Sequence, residues 1–343
     1  MAESPVRPLD WRDLPALHRV RSRGLCLHAE VAYTRGPQTL QTALLDMLTP
    51  GRLTHTLVAP GLDDETTAIG QILQREPSAP ARLVFFGPAE ALAQANGARL
   101  LDALCQAAGQ RGAHNLIADV DELGPAFECL RAAGFAIYAR QRIWRRAPTE
   151  TPTARRSGSL WRPELAADAA AIQALLANLI PGLVQQVETS PNRPRRGYVY
   201  RDDDELRGYL DVERGALGIW LQPYLHPAVE TIDPLLAALV REVDHQAGRS
   251  LFLCVRSYQG WMSGPLTRFE FEPVSDQAVM VRRLAAAVRA TERARRPALE
   301  GTPEPTAPIA RTGNSRQWSV VSGQQARPGR RLATDHSPLT TKP

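Results

Sequence analysis

The feature of this 343-residue chain that most restricts its fold is a repeat of itself. Val6-Arg7-Pro8, four residues, Asp13, two residues and Ala16-Leu17 recur 155 positions later as Trp161-Arg162-Pro163, four residues, Asp168, two residues and Ala171-Ile172. A second match closes each copy: Phe135, Gln141 and Arg146 have the spacing of Phe271, Gln277 and Arg282. Two matches in the same order imply a duplication, and the length allows about two domains. In each copy a short strand should end at the proline. Asp13 and Asp168 then stand in the first turn of a helix, where exposed amides and the helix dipole favour an acid.

Periodicity fills in the rest. The first copy predicts helices over 11–23 and 37–48, then strands over 53–60, 67–76 and 81–87. A helix over 97–111, a strand over 114–121, a helix over 125–133 and a strand over 135–146 complete it. The run at 82–86 (RLVFF) is apolar throughout, which predicts a central strand. The second copy predicts strands over 197–202, 206–213 and 216–222, with a hairpin at Arg214-Gly215. A helix over 232–247, a strand over 250–256, a helix over 261–268 and strands within 270–282 follow. The fold class is α/β: two mixed-sheet domains in tandem, over 1–147 and 160–290. They are joined by a Pro/Thr/Ser/Arg-rich linker at 148–159.

From 291 to the end the pattern lapses. This segment holds seven prolines and little apolar periodicity, so it reads as a disordered tail that cannot offset its ordering entropy by burial. Its nine basic and four acidic residues account for the whole net charge of +5, leaving 32 of each sign in 1–290. The tail is therefore the one candidate for nucleic-acid contact, and the folded part makes no such claim. Cys26, Cys105, Cys129 and Cys254 are scattered without a CxxC pair, which fits a reduced, cytoplasmic chain without structural metal. The longest uncharged stretch, 169–187, is interrupted by Gln173, Asn178, Pro181 and Gly182 and is too polar to span a bilayer.

The order of elements, the helix GARLLDALCQAAGQRG after RLVFF, and the Gly134-Phe135 pair before the last strand resemble the GNAT acyltransferase superfamily. The resemblance is to a tandem arrangement and covers about 5–290. It implies transfer of an acetyl or other acyl group from acyl-CoA to an amine acceptor, with the two copies forming an internal pseudo-dimer. The resemblance also implies cofactor contacts at Phe85, Phe86 and Gly87 on the strand and at Ala95, Gly97 and Ala98 opening the helix. There, free amides and the helix dipole would hold a pyrophosphate. The family's (Gln/Arg)-x-x-Gly-x-(Gly/Ala) loop is eroded here: Leu92 replaces the first residue and Ala95 the first glycine, while Gly97 matches. In the second copy Pro227, Glu230 and Ile232 stand at those positions, so the first copy is expected to be the better coenzyme A site.

The tyrosine that protonates the thiolate in many relatives is replaced by Leu130 and Leu266. Candidate bases are Asp119 and Asp121, alternating at the end of the strand over 114–121; the plainer reading of each is a solvated strand-end or turn carboxylate. Tyr224, His226 and Tyr258 lie at comparable strand ends in the second copy. A catalytically silent pair, serving as a ligand-sensing or protein-interaction scaffold, is the competing expectation.

Overall fold

The structure, a computed structural model, describes residues 5–36, 53–61, 66–76, 79–148, 160–188, 197–229, 232–243 and 249–284. The helix expected at 37–48, all but the first residue of the linker, and the tail lie outside the described residues.

In the first half the elements are β1 (Arg7–Pro8), α1 (Leu14–Val20), β2 (Leu25–Cys26), α2 (Ala29–Thr34), β3 (Thr54–Ala59), β4 (Ala68–Leu73) and β5 (Ala81–Gly87). Then come α3 (Ala95–Gln110), β6 (Asn115–Asp121), α4 (Pro125–Ala132) and β7 (Ala136–Arg146). The second half has β8 (Arg162–Pro163), α5 (Ala169–Leu179), α6 (Gly182–Val187), β9 (Tyr198–Asp202), β10 (Glu205–Arg214) and β11 (Gly218–Leu225). It ends with α7 (Ile232–Val243), β12 (Ser250–Arg256), α8 (Ser263–Arg268) and β13 (Glu272–Arg283).

The repeated Arg-Pro-x4-Asp has one local cause in both halves. Arg7 forks onto Asp13 at 2.7 and 2.8 Å, and Arg162 onto Asp168 at 2.7 Å twice. Each aspartate also accepts the amide three residues before it, Asp10 N at 2.8 Å and Leu165 N at 2.9 Å. The two acids therefore lock the chain entering the helix to the preceding strand. As expected, both acids stand in a first turn, that of the 3-10 turns Trp11–Asp13 and Ala166–Asp168 that lead into α1 and α5.

All thirteen strands among the described residues belong to one sheet, in the order β1-β3-β4-β5-β6-β13-β7-β12-β11-β10-β9-β8, with β2 beside β5. Period-two alternation divides it into faces. β6 sends Leu116, Ala118 and Val120 into the core under α3 and α4, and turns Ile117 to the other face, against Val184 and Val187 of α6. In the second half Leu251, Leu253 and Val255 pack under α7 and α8. RLVFF is indeed interior, with β4 on one edge and β6 and β2 on the other.

The halves do not close on their own last strands. β13, from the second half, pairs antiparallel with β6 of the first, while β7, from the first, pairs antiparallel with β12 of the second. β7 and β13 then pair with each other, with Gln141 opposite Gln277 and a hydrogen bond of 2.8 Å between their carboxamides. The two residues matched by the repeat thus meet at its pseudo-twofold axis. The described residues from 5 to 284 accordingly belong to one compact unit. The repeat extends to the turn before each exchanged strand. Gly134 and Glu270 both have positive φ (83° and 61°), and Phe135 N and Phe271 N donate back to Leu130 O and Leu266 O.

Candidate functional site: two openings in the sheet

β5 and β6 run parallel but pair only at Ala81–Leu116 and Arg82–Ile117 before they part. β11 and β12 pair from Gly218–Ser250 to Leu221–Leu253 and part in the same way. Parted strands leave backbone donors and acceptors facing a gap, and these groups must find partners.

In the first opening the partner is the chain itself. Leu25 pairs with Phe86 and Cys26 with Phe85. Leu27 then bridges the gap: its amide donates to Val84 O, and its carbonyl accepts from Asp119 N, both at 2.9 Å. Gly24 admits this segment because any Cβ there would lie 2.1 Å from the Phe85 ring. The carboxylate of Asp119 is buried and accepts from Ala29 N at 2.8 Å, fixing the first turn of α2, with Arg82 at 3.7 Å. Asp119 is a structural residue in this arrangement.

The residues expected to hold a cofactor are spent on packing. Phe85 and Phe86 are fully buried, with their backbones paired to β2 and β4. A Cβ on Gly87 would lie 2.6 Å from Val20, and one on Gly97 only 1.9 Å from Ala91 O. Gly97 thus lets the 3-10 turn at Ala89–Ala93 lie against α3. The Ala98 amide is bonded within the helix turn to Gln94 O at 3.1 Å, and Ala95 is its exposed first residue. Main chain over 25–27 fills the opening beside these residues in the first half. Leu130 and Leu266, where the family's tyrosine would be, are both core residues.

Asp121 is exposed at the end of β6 and accepts Leu123 N at 2.9 Å, a strand-end turn. It lies with Arg140, Gln141, Arg142, Asp276 and Gln277 along a cleft of about 470 Å³ at the pseudo-twofold axis. The far wall of that cleft includes Ser257, Gly260 and Ser263.

The second opening is filled differently. Its α-helical pair, α5 and α6, is joined by Ile180 and Pro181 alone, and among the described residues no segment like 21–28 enters it. One side chain does the bridging. The buried carboxamide of Gln259 donates to Pro223 O at 2.7 Å and accepts from Leu225 N at 3.0 Å, in the orientation that satisfies both. Gln259 lies in the 3-10 turn Ser257–Met262, where it departs from helical geometry (φ −117°, ψ 21°).

A partly buried ionic cluster joins residues of β5, β7 and β12 to the end of α6. Glu188, just beyond α6, accepts from Tyr138 Oη and from Arg256 at 2.7 Å, and lies 3.6 Å from Arg82. Burial pushes the Glu188 carboxyl up, but the Arg256 and Arg82 guanidiniums and the Tyr138 hydroxyl outweigh it and hold it below the ordinary range. Burial raises Tyr224 and Tyr258, so both stay protonated, and it lifts the Cys254 thiol to about 12. His226 accepts Ala228 N at 3.2 Å through Nδ1 within a turn. The pattern of the sequence contained no signal for Gln259, Arg82 or Tyr138. Glu188 had one, as the charge that ends the uncharged stretch 169–187.

The sheet order and the two parting strand pairs decide the architecture. One mixed sheet is built from two like halves. No family model and no curated protein matches the sequence. Among solved structures it is similar to a tandem GNAT protein from the clavulanic acid biosynthesis pathway (15% identity, 81% of this chain and 98% of that one, TM-score 0.48). It is also similar to a GCN5-related N-acetyltransferase from Sphaerobacter thermophilus (13% identity, 81% and 95%, TM-score 0.47). A third likeness is to a GCN5-related N-acetyltransferase from Kribbella flavida (15% identity, 81% and 70%, TM-score 0.42). No helix among the described residues is long and apolar enough to cross a membrane.

Proposed function

We propose that the protein transfers an acyl group from a coenzyme A thioester to an amine, with the thioester held in the opening between β11 and β12. The observation that carries this reading is the Gln259 carboxamide. Its amide pairs with the buried edge of β11 through Pro223 O and Leu225 N, as a peptide would. The pantetheine arm of coenzyme A is an extended chain with two amides of that kind. The thioester supplies an activated acyl carbon when bound. Tyr258, next to Gln259 and kept neutral by burial, holds a proton at its Oη and takes the role of the acid missing at Leu266. Orientation of the amine in the shared centre of the sheet supplies the rest of the rate.

A second reading, a silent scaffold, draws on the closure of both openings in the free protein by 25–27 and by Gln259. Isothermal titration of acetyl-CoA into the full chain separates the two. Micromolar binding at one site per chain supports the acyltransferase. No heat up to about millimolar, or a free energy weaker than about −4 kcal/mol, supports the scaffold. With an amine substrate found by screening, Tyr258→Phe should lower kcat at least tenfold and leave acetyl-CoA affinity unchanged.

A further inference from the structure

We infer that Gln259 is an internal competitor for the second opening: it occupies the β11 edge in the free protein and must withdraw when an amide-bearing ligand enters. The inference rests on the cofactor reading above but makes a separate demand on this residue. Three observations converge on it. The carboxamide of Gln259 satisfies both a carbonyl and an amide of β11, at 2.7 and 3.0 Å, as a paired peptide would. Its backbone is non-helical inside an otherwise helical turn, so its withdrawal need not unwind a regular helix. The following residue, Gly260, has open space around it: a Cβ there would meet nothing within 4 Å, and it borders the 470 Å³ cleft. The segment carrying Gln259 has room to move on the cleft side.

The first opening sets the contrast. There the bridge is main chain hydrogen-bonded on both sides, by Leu27 to Val84 and to Asp119, and it is continuous with α2. Displacing it means unpairing a strand. Displacing Gln259 means turning one side chain and exchanging two hydrogen bonds for two others, so the free energy at stake is that of two net bonds. A ligand that re-forms both loses little. A ligand that lacks an amide leaves Pro223 O and Leu225 N unmatched and is rejected, because unpaired buried polar groups are costly. Gln259 thereby serves as a positioning and selectivity residue for an amide-bearing arm.

The test compares wild type with Gln259→Met, which keeps the volume and removes the amide, and with Gln259→Ala as a second form should the first not fold. Acetyl-CoA is titrated into each, and hydrogen exchange at Leu225 is followed with and without it. The competitor predicts roughly tenfold tighter acetyl-CoA binding in the variants. It also predicts faster Leu225 exchange in the free variants, restored to slow exchange by acetyl-CoA. Binding to wild type with equal or weaker binding to both folded variants overturns the competitor while leaving the cofactor reading intact. Binding to none of the folded proteins up to millimolar overturns both.

Discussion

Two openings of the same ancestry have met the same physical problem in opposite ways. Where β5 and β6 part, an extra stretch between α1 and α2 enters as a strand and pairs with both edges. Where β11 and β12 part, the equivalent connection is only Ile180-Pro181, and a single glutamine covers the edge. Backbone groups are satisfied in both, as buried amides and carbonyls require. The difference is in what it takes to undo the filling. A duplicated fold can therefore devote one copy to stability and leave the other able to open.

The sharpest way to break this comparison is through the cluster that joins strands of both openings. Glu188→Gln leaves the buried Arg256 and the partly exposed Arg82 without their shared carboxylate, and should cost about 2–3 kcal/mol in urea denaturation. A loss under 1 kcal/mol would show that the openings are not tied together there. Next, Leu27→Pro removes the amide that bonds Val84 O and interrupts the filling strand. It should cost about 3 kcal/mol, against about 1–2 kcal/mol for Gln259→Met. Equal costs would remove the distinction between a structural plug and a replaceable one.

The matched forks compare the halves more gently. Asp168→Asn should cost about 1.5–3 kcal/mol, and Asp13→Asn a similar amount. Hydrogen bonds from Arg162 hold the Asp168 carboxyl far below the ordinary range, with burial opposing them. The folded-state pKa is depressed, so this stability is present above the unfolded value near about 4 and is lost as pH falls below it. Thermal melts of wild type should therefore drop on going from pH 7 to pH 3 by more than those of Asp168→Asn. The smallest effect concerns the turn before each exchanged strand. Glu270 holds a left-handed conformation that Gly134 adopts without strain, and Glu270→Gly should gain about 0.5–1 kcal/mol. A loss would mean that the Glu270 contact with Arg146 at 3.3 Å outweighs the strain.

Much of the fold was legible because duplication doubles the signal. Arg7, Asp13, Arg162 and Asp168 marked equivalent forks, and the Gln141–Gln277 match identified the residues that meet at the axis. The strand and helix pattern from 53 onward followed from alternation and helical spacing, since those elements carry one apolar face each. Strand exchange was not legible: β7 and β13 have interchangeable patterns, and only three-dimensional pairing decides which half each completes. The filling of the first opening was missed because β2 is two residues long, too short for any period to show. Gln259 was missed because a carboxamide that imitates a peptide leaves no trace in spacing. The sequence around Gly97 could not separate two demands for a related reason. Close approach of a neighbouring carbonyl and close approach of a phosphate demand the same absent side chain.

The most direct measurement is hydrogen exchange across the whole chain with and without saturating acetyl-CoA. The account predicts that protection changes in β11 over 222–225 and in the turn Ser257–Met262, while 25–27 and β5 remain as they were. Protection that changes instead in 25–27 and 83–87 would contradict it, placing the ligand in the opening that the chain has filled with its own backbone.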